Sequence, residues 1–172
     1  PSNTLAGLTI TGGSANDTII MGAGLNNSDS IDGGAGTDEV TATITNATAT
    51  TGALTVSNVE SLELTNAGTA TLNVAGITGG TSTAPTSIEI AGAATTTTIS
   101  GIDAVNQKIG LGEADEGAAG QGTFALTLAD STGTADNLTL DVNRAATATI
   151  TTSGVETLTV ATSTTDTTIT NA

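Results

Sequence analysis

The sequence predicts an all-β chain that coils into a parallel solenoid, and three observations favour this fold class. Aliphatic residues recur in pairs around a single polar residue, an alternation that places both aliphatic side chains on one face of a strand. Threonine is the most frequent residue, with 40 copies among 172, and its β-branched side chain favours strands. Proline occurs only at Pro1 and Pro85, and helical spacing of apolar residues is almost nowhere visible.

The predicted strands are short and follow one another at near-regular intervals. They are marked by Leu62-Glu63-Leu64, Leu72-Asn73-Val74, Ile88-Glu89-Ile90, Leu126-Thr127-Leu128, Leu138-Thr139-Leu140 and Leu158-Thr159-Val160, together with Ile99, Ile150 and Ile169. Such spacing also fits an antiparallel sandwich, but a sandwich usually buries aromatic side chains and Phe124 is the only aromatic residue. The low-complexity composition also fits disorder, against which the regular spacing of Val, Ile and Leu argues. We therefore favour the solenoid.

The organisation along the chain is that of a single solenoid domain or segment over residues 1–172. Repeated Gly-rich turns occupy residues 12–41, and stacked short strands occupy residues 42–100 and 123–172. We interpret residues 101–122, which are rich in glycine and carry several acidic residues, as a long loop leaving the solenoid. An ordinary solvated acidic loop is the alternative to a functional one.

The charge of the chain is strongly negative, with 17 Asp and Glu residues in total against one Lys and one Arg, and the net charge is −15. Binding to nucleic acid is excluded, because it requires clustered basic residues, and an anionic membrane surface is disfavoured for the same reason. No apolar run is long enough to insert into a membrane. Histidine and cysteine are absent, so a metal would have to be held by oxygen atoms. A cation is the natural partner, since it offsets the repulsion between like charges.

Residues 12–41 carry three tandem copies of a Gly-rich nonapeptide, G-G-x-G-x-D-x-U-x, in which U is apolar. Residues 33–41 fit it completely, and residues 12–20 fit it with Ala15 in place of the fourth-position glycine. Between them, Met21-Gly22-Ala23-Gly24 opens a copy that Asp29-Ser30-Ile31-Asp32 closes after a short insertion. Glycine makes the tight turn, and backbone carbonyls then lie beside the Asp carboxylate. Calcium is a hard cation that takes roughly 6 to 8 such oxygen ligands.

Each turn supplies only part of a calcium shell, so neighbouring coils have to complete it. If alternate copies stack, Asp17 and Asp38 share an ion and Asp29 serves the opposite edge. Glu89 is expected at a solvent-facing strand position, where its loss should affect calcium-dependent folding less than loss of Asp38. Gly-rich turns containing Asp are also common as plain turns, but three copies in tandem favour calcium binding.

A fainter copy of the turn lies at Gly133-Thr134-Ala135-Asp136-Asn137-Leu138, where a calcium site and an ordinary turn remain equally open alternatives. The candidate calcium ligands are therefore Gly12, Ser14, Asn16, Asp17, Gly22, Gly24, Asp29, Asp32, Gly33, Ala35, Thr37, Asp38 and Asp136.

Residues 12–41 resemble the RTX repeats of secreted calcium-binding proteins, whose hallmark is this nonapeptide. The resemblance implies a right-handed parallel β-roll or β-helix solenoid with calcium-binding turns. It also implies type I secretion, with the chain exported unfolded and folding when it meets external calcium.

Nearly the whole chain is similar to the lattice-forming part of caulobacter-type surface-layer (S-layer) proteins. The similarity is carried by Asn58-Val59-Glu60-Ser61-Leu62, by Gly154-Val155-Glu156-Thr157-Leu158 and by the Thr/Ala/Gly/Val composition. It implies an extracellular location on a bacterial cell surface and self-association into a calcium-crosslinked sheet. Two departures are the expanded middle nonapeptide and the lack of the family's anchoring and secretion-signal regions, as expected of an excerpt or a shorter relative.

We expect a structural subunit or segment of a calcium-dependent extracellular assembly, such as an S-layer, a sheath or a filament, and not an enzyme. The alternative is an adhesin module that binds a surface polysaccharide or another surface through threonines such as Thr95 to Thr98, although the usual aromatic platform is lacking. An enzyme acting on polysaccharides is the least favoured, because Lys108 and Arg144 are the only basic residues and His, Cys and Tyr are absent.

Overall fold

The chain forms a β-solenoid in which the strands of every sheet run parallel, so the predicted fold class is confirmed. The structure, a computed structural model, describes residues 7–44, 54–78, 86–91, 93–104, 107–111, 121–142, 147–162 and 167–171. Within these residues there is no helix, and therefore no helix that could cross a membrane.

The described residues form fifteen strands in three sheets. The strands are β1 (Thr9–Thr11), β2 (Thr18–Gly22), β3 (Ser30–Asp32), β4 (Glu39–Ile44), β5 (Thr55–Ser57), β6 (Ser61–Asn66), β7 (Ala70–Asn73), β8 (Thr86–Ala91), β9 (Ala93–Ile102), β10 (Gln107–Leu111), β11 (Gln121–Leu128), β12 (Asn137–Val142), β13 (Thr147–Ser153), β14 (Thr157–Thr162) and β15 (Thr167–Asn171). The even-numbered strands from β2 to β14 form one long sheet of seven strands. Opposite it lie two shorter sheets, β1-β3-β5 and β7-β9-β11-β13-β15.

The alternation of aliphatic and polar residues fixes the register of the long sheet. In successive coils Ile19 lies opposite Val40, Val40 opposite Leu62, and Leu62 opposite Ile88. Val40, Leu62 and Ile88 are fully buried, while the alternate position Glu63 lies on the outer face. Full burial of one such side chain contributes about 1.5–3 kcal/mol. A shift of one residue would turn the whole aliphatic set outward, so this register is strongly favoured.

Polar side chains inside the coils are paired by hydrogen bonds that link segments distant in the sequence. The Asn66 side-chain amide at the end of β6 donates to the Thr97 hydroxyl of β9 at 2.5 Å. The Gln107 amide donates to the carbonyls of Val74 and Ile77 at 2.8 and 2.9 Å. Buried polar groups are tolerated when they are hydrogen-bonded in this way. The interior is therefore aliphatic layers crossed by a few satisfied amides.

The structure corrects the interpretation of residues 101–122 as one loop. Gln107–Leu111 is strand β10 of the long sheet, paired with β8 and β12. Ile109 and Leu111 point into the core, and the buried Gln107 is accepted there because both ends of its amide are bonded. Gly110 leaves this strand without an outward side chain. Residues 112–120 of the predicted loop lie outside the described residues.

Candidate metal centre

The Gly-rich turns stack one coil above another at the corner that leads into the long sheet. The first turn (residues 12–17) precedes β2, the second turn (residues 33–38) precedes β4, and a third turn (residues 58–60) precedes β6. The Asp17 N–H donates to the Asp38 carboxylate 21 residues later, and the Asp38 N–H donates to Glu60 22 residues later. Each step is one coil. The structure thus brings Asp17 and Asp38 into consecutive coils, as stacking of alternate nonapeptides predicts.

Glycines allow these turns to approach closely. A Cβ on Gly33 would collide with the carbonyl oxygen of Asn58 in the next coil, so no larger residue fits without a shift of the backbone. Gly36 has a φ of 138°, in the region that disfavours residues with a side chain. The Ala35 N–H donates to the Gly13 carbonyl at 2.9 Å, which ties the second turn to the first. Backbone and carboxylate oxygens of different coils therefore share one corner.

Asp38 lies at the centre of this column and is only 1% exposed. One carboxylate oxygen, Oδ1, accepts the Asp17 N–H at 2.8 Å. The other, Oδ2, is the one buried side-chain oxygen or nitrogen of the described residues that has no hydrogen-bond partner. A buried charged group without full compensation is costly, by about 1–3 kcal/mol or more for one unsatisfied atom. A cation is a chemically suitable partner for this oxygen.

Asp29 stands at the opposite edge of the coil, before β3. Its position in the adjacent coils is taken by Leu8 and Leu54, because Ser30 pairs with Thr9 and with Thr55. The carboxylate is 2% exposed, and its two oxygens accept the N–H groups of Leu8 and Asn26, each at 2.8 Å. The insertion in the middle nonapeptide supplies Asn26. Unlike Asp38, Asp29 is therefore satisfied by the chain itself.

The other predicted ligands lie in or beside the first and second turns. Asn16 accepts the Thr37 N–H through its side-chain oxygen at 2.9 Å. The Gly12 N–H donates to the Asp32 carbonyl at 2.7 Å. Ser14 is exposed in the first turn.

Two predicted glycine ligands of the middle nonapeptide lie away from the column. Gly22 ends β2 with a φ of 54°. The Gly24 carbonyl accepts the Asn26 side-chain amide at 3.2 Å, at the edge that carries Asp29. The middle nonapeptide thus contributes residues to the edge of the coil that carries Asp29, opposite the column.

Asn58 and Glu60 belong to the column, although the nonapeptide pattern does not include them. The Glu60 carboxylate accepts the Asp38 N–H at 2.7 Å. The Asn58 side-chain amide donates to Asp32 Oδ1 at 2.7 Å, and Asn58 has a φ of 51°. The sequence does contain a signal for them, since Glu60 follows Asp38 at nearly the interval that separates Asp38 from Asp17.

The fainter turn before β12 has a related neighbour in the next coil. Asp136 Oδ2 accepts the Gly133 N–H at 3.2 Å, and the Asp136 N–H donates to the Glu156 carboxylate at 2.9 Å. Asp136 is partly exposed. Asp136 as a calcium ligand stays a prediction.

The donor set of the first three turns fits a hard cation. Within the described ranges no group of three or more acidic side chains is placed to hold a metal, so a bound ion would also need backbone carbonyls. Calcium accepts such a mixture of carboxylate and carbonyl oxygens, whereas zinc and copper prefer nitrogen and sulfur. The residues present therefore fit calcium and provide no thiolate or imidazole ligand, since the chain has no His or Cys.

Outside the turns, Glu89 is less exposed than its expected solvent-facing position implies. Its carboxylate lies over Gly110, in space that a side chain there would fill. Burial raises the pKa of Glu89, the hydrogen bond from the Ser87 hydroxyl lowers it, and the nearby charge of Asp141 raises it, with a net upward shift. The outer face of the long sheet therefore holds a carboxylate that favours its protonated form more than a free one does.

No protein-family model, curated protein or solved structure matches the chain. The class that the structure itself defines is the parallel β-solenoid. Arguments about function depend on the stacked turns and the faces of that solenoid.

Proposed function

We propose that the chain is a structural subunit or segment of a calcium-dependent extracellular assembly, such as an S-layer, a sheath or a filament, on a bacterial surface. The observation that supports it is the buried Asp38 carboxylate, whose Oδ2 has no hydrogen-bond partner at a corner where Gly-rich turns stack. Calcium bound there would join one coil to the next.

Charge gives the proposed ion its role in folding. The chain has a net charge of −15, so its compact form is opposed by self-repulsion until a cation offsets it. Asp38 would hold the ion together with carbonyl oxygens of the stacked turns. Because this set of ligands exists only when the coils are stacked, binding and folding are linked.

The shape of the solenoid supports a structural role. A parallel solenoid ends in strands with unpaired edges and presents flat faces, and both suit association with further copies or coils. The threonine run that suggests an adhesin is not a uniform outward array, because Thr97 is buried and bonded to Asn66. An adhesin module therefore remains the second candidate without an observation that favours it.

The test is a calcium titration that starts from EGTA, followed by far-UV circular dichroism and light scattering. We expect a gain of β structure with calcium, followed by growth into sheets or fibres. Asp38→Asn should raise the calcium midpoint roughly tenfold or more, because loss of a charged partner costs about 1.5–3 kcal/mol. Full β structure in EGTA with no response to calcium would overturn the proposal.

A further inference from the structure

The third turn repeats, with glutamate, the arrangement that aspartate makes in the second turn. Asp38 Oδ1 accepts the Asp17 N–H at 2.8 Å, and Glu60 Oε2 accepts the Asp38 N–H at 2.7 Å. In return, the N–H groups of Glu60 and Ser61 donate to the Asp38 carbonyl at 3.0 and 3.1 Å. The Glu60 carboxylate is thus fixed one coil beyond Asp38, at the next position of the same column.

The unpartnered oxygen of Asp38 lies on the side of the third turn. The position of a Cβ on Gly33 would be 2.7 Å from Asp38 Oδ2 and would collide with the Asn58 carbonyl oxygen. A carboxylate oxygen and a carbonyl oxygen therefore border the same small space. Both are acceptors, so neither can satisfy the other, whereas a cation can bind both.

Asp32 explains why Asp38 Oδ2 lacks a donor from its own turn. In the first turn Asp17 Oδ2 accepts the Gly13 N–H at 2.9 Å. The corresponding N–H of the second turn, on Gly34, donates instead to Asp32 Oδ1 at 3.1 Å. Asp32 Oδ1 also accepts the Asn58 side-chain amide at 2.7 Å, which places Asp32 within the same network.

We propose that calcium binds between the second and third coils, with Asp38, the Asn58 carbonyl and the Glu60 carboxylate among its ligands. The Asn-Val-Glu sequence of the third turn then supplies the calcium ligands that face Asp38. The proposal rests on the proposed function for calcium as the ion that stabilises the solenoid, and it assigns that ion's second set of ligands. Two carboxylates on neighbouring coils, about 4.8 Å apart in strand spacing, also gain from a cation that offsets their repulsion.

The test compares Glu60→Gln with Glu156→Gln in the full chain. Glutamine keeps a side-chain oxygen that can accept the N–H of the preceding Asp, so each variant removes the charge and retains the hydrogen bond. We expect Glu60→Gln to raise the calcium midpoint roughly tenfold, whereas Glu156→Gln changes it by less than about threefold. Equilibrium dialysis at a fixed calcium concentration near the wild-type midpoint should show fewer ions bound to Glu60→Gln, whether or not that variant folds fully.

Asp17→Asn separates failure of this inference from failure of the proposed function. If Asp17→Asn shifts the midpoint while Glu60→Gln leaves both the midpoint and the bound calcium unchanged, the ion lies between the first and second coils. The inference is then wrong and the calcium-dependent module stands. Equal shifts in Glu60→Gln and Glu156→Gln also overturn the inference, because the effect would not be specific to the Asp38 site. A wild-type chain that ignores calcium overturns both proposals.

Discussion

The turn at residues 33–38 and the turn at residues 130–136 follow the same plan and differ in one respect that matters for metal binding. In both, the N–H of the last aspartate donates to a glutamate of the next coil, at 2.7 Å for Asp38 and 2.9 Å for Asp136. In both, the next coil begins its turn with a residue of positive φ, 51° at Asn58 and 70° at Gly154. The recurring Val-Glu-Ser/Thr-Leu sequence thus lies at the start of the coil that follows an aspartate-containing turn.

The difference lies in the space beside the aspartate. In the turn at residues 33–38, Gly33 faces the Asn58 carbonyl, and Asp38 is buried with Oδ2 unpartnered. In the turn at residues 130–136, Ser131 packs its side chain against Gly154, and the Asp136 carboxylate accepts the Gly133 N–H. A similar backbone plan therefore leaves one buried carboxylate oxygen without a partner at Asp38, whereas Asp136 is partly exposed and its Oδ2 accepts an N–H from its own turn.

The largest expected contrast concerns the leucine that follows each glutamate. Leu62 is fully buried, so Leu62→Ala should cost about 2–5 kcal/mol of unfolding free energy. Leu158 is only partly buried, and Leu158→Ala should cost less than about 2 kcal/mol. Urea unfolding at saturating calcium measures both. Equal losses would mean that the two coils are packed alike and that the comparison fails.

Exchanging Gly33 and Ser131, which occupy equivalent positions in the two turns, tests whether the space beside each aspartate matters. Gly33→Ser would drive a side chain into the Asn58 carbonyl and should destabilise the fold by about 1–3 kcal/mol while weakening the calcium response. Ser131→Gly removes a contact with Gly154 and should stay within about 1 kcal/mol of the wild type. Thermal melts with calcium and with EGTA read out both effects. A harmless Gly33→Ser would show that the close approach is unimportant.

The aspartates themselves give the next contrast. Asp38→Asn should shift the calcium midpoint roughly tenfold, whereas Asp136→Asn should shift it less than about threefold, because Asp38 has a buried oxygen without a partner and Asp136 is partly exposed. Circular dichroism during a calcium titration supplies the midpoints. A larger shift in Asp136→Asn than in Asp38→Asn would place the calcium site in the turn at residues 130–136.

The smallest expected effect lies outside the turns, at Glu89. Its pKa is raised above the usual value of 4.5, so the folded state binds this proton more tightly than the unfolded state does. Wild-type stability should therefore fall as pH rises from about 4.5 through the folded pKa, relative to Glu89→Gln. Below that window the difference between the two proteins should become constant. Parallel curves through the window, measured by urea unfolding, would contradict the burial of this carboxylate.

Local patterns predict most of the strands and one column of turns. The alternation around Glu63 and Thr139 identifies residues that face the core, and the nonapeptides place Asp17 and Asp38 one above the other. Local patterns do not identify Glu60, because its signal is the interval of 22 residues from Asp38, which depends on the length of the coil between them. Strand β10 was missed because Gln107 is a polar residue at an inward position, where only tertiary hydrogen bonds make it stable.

The hydrogen bonds from one turn to the next give the column a direction. The carboxylates of Asp29, Asp38, Glu60 and Glu156 each accept an N–H from the coil before them. Other turn amides donate in the opposite direction, because the N–H groups of Ala35, Glu39 and Glu60 bond to carbonyls of the preceding coil. Loss of a following coil therefore removes a carboxylate acceptor, and loss of a preceding coil removes carbonyl acceptors. Side-chain carboxylates thus link each turn to the coil before it and backbone carbonyls link it in the other sense, so removal of a coil from either side breaks hydrogen bonds of the turn that remains.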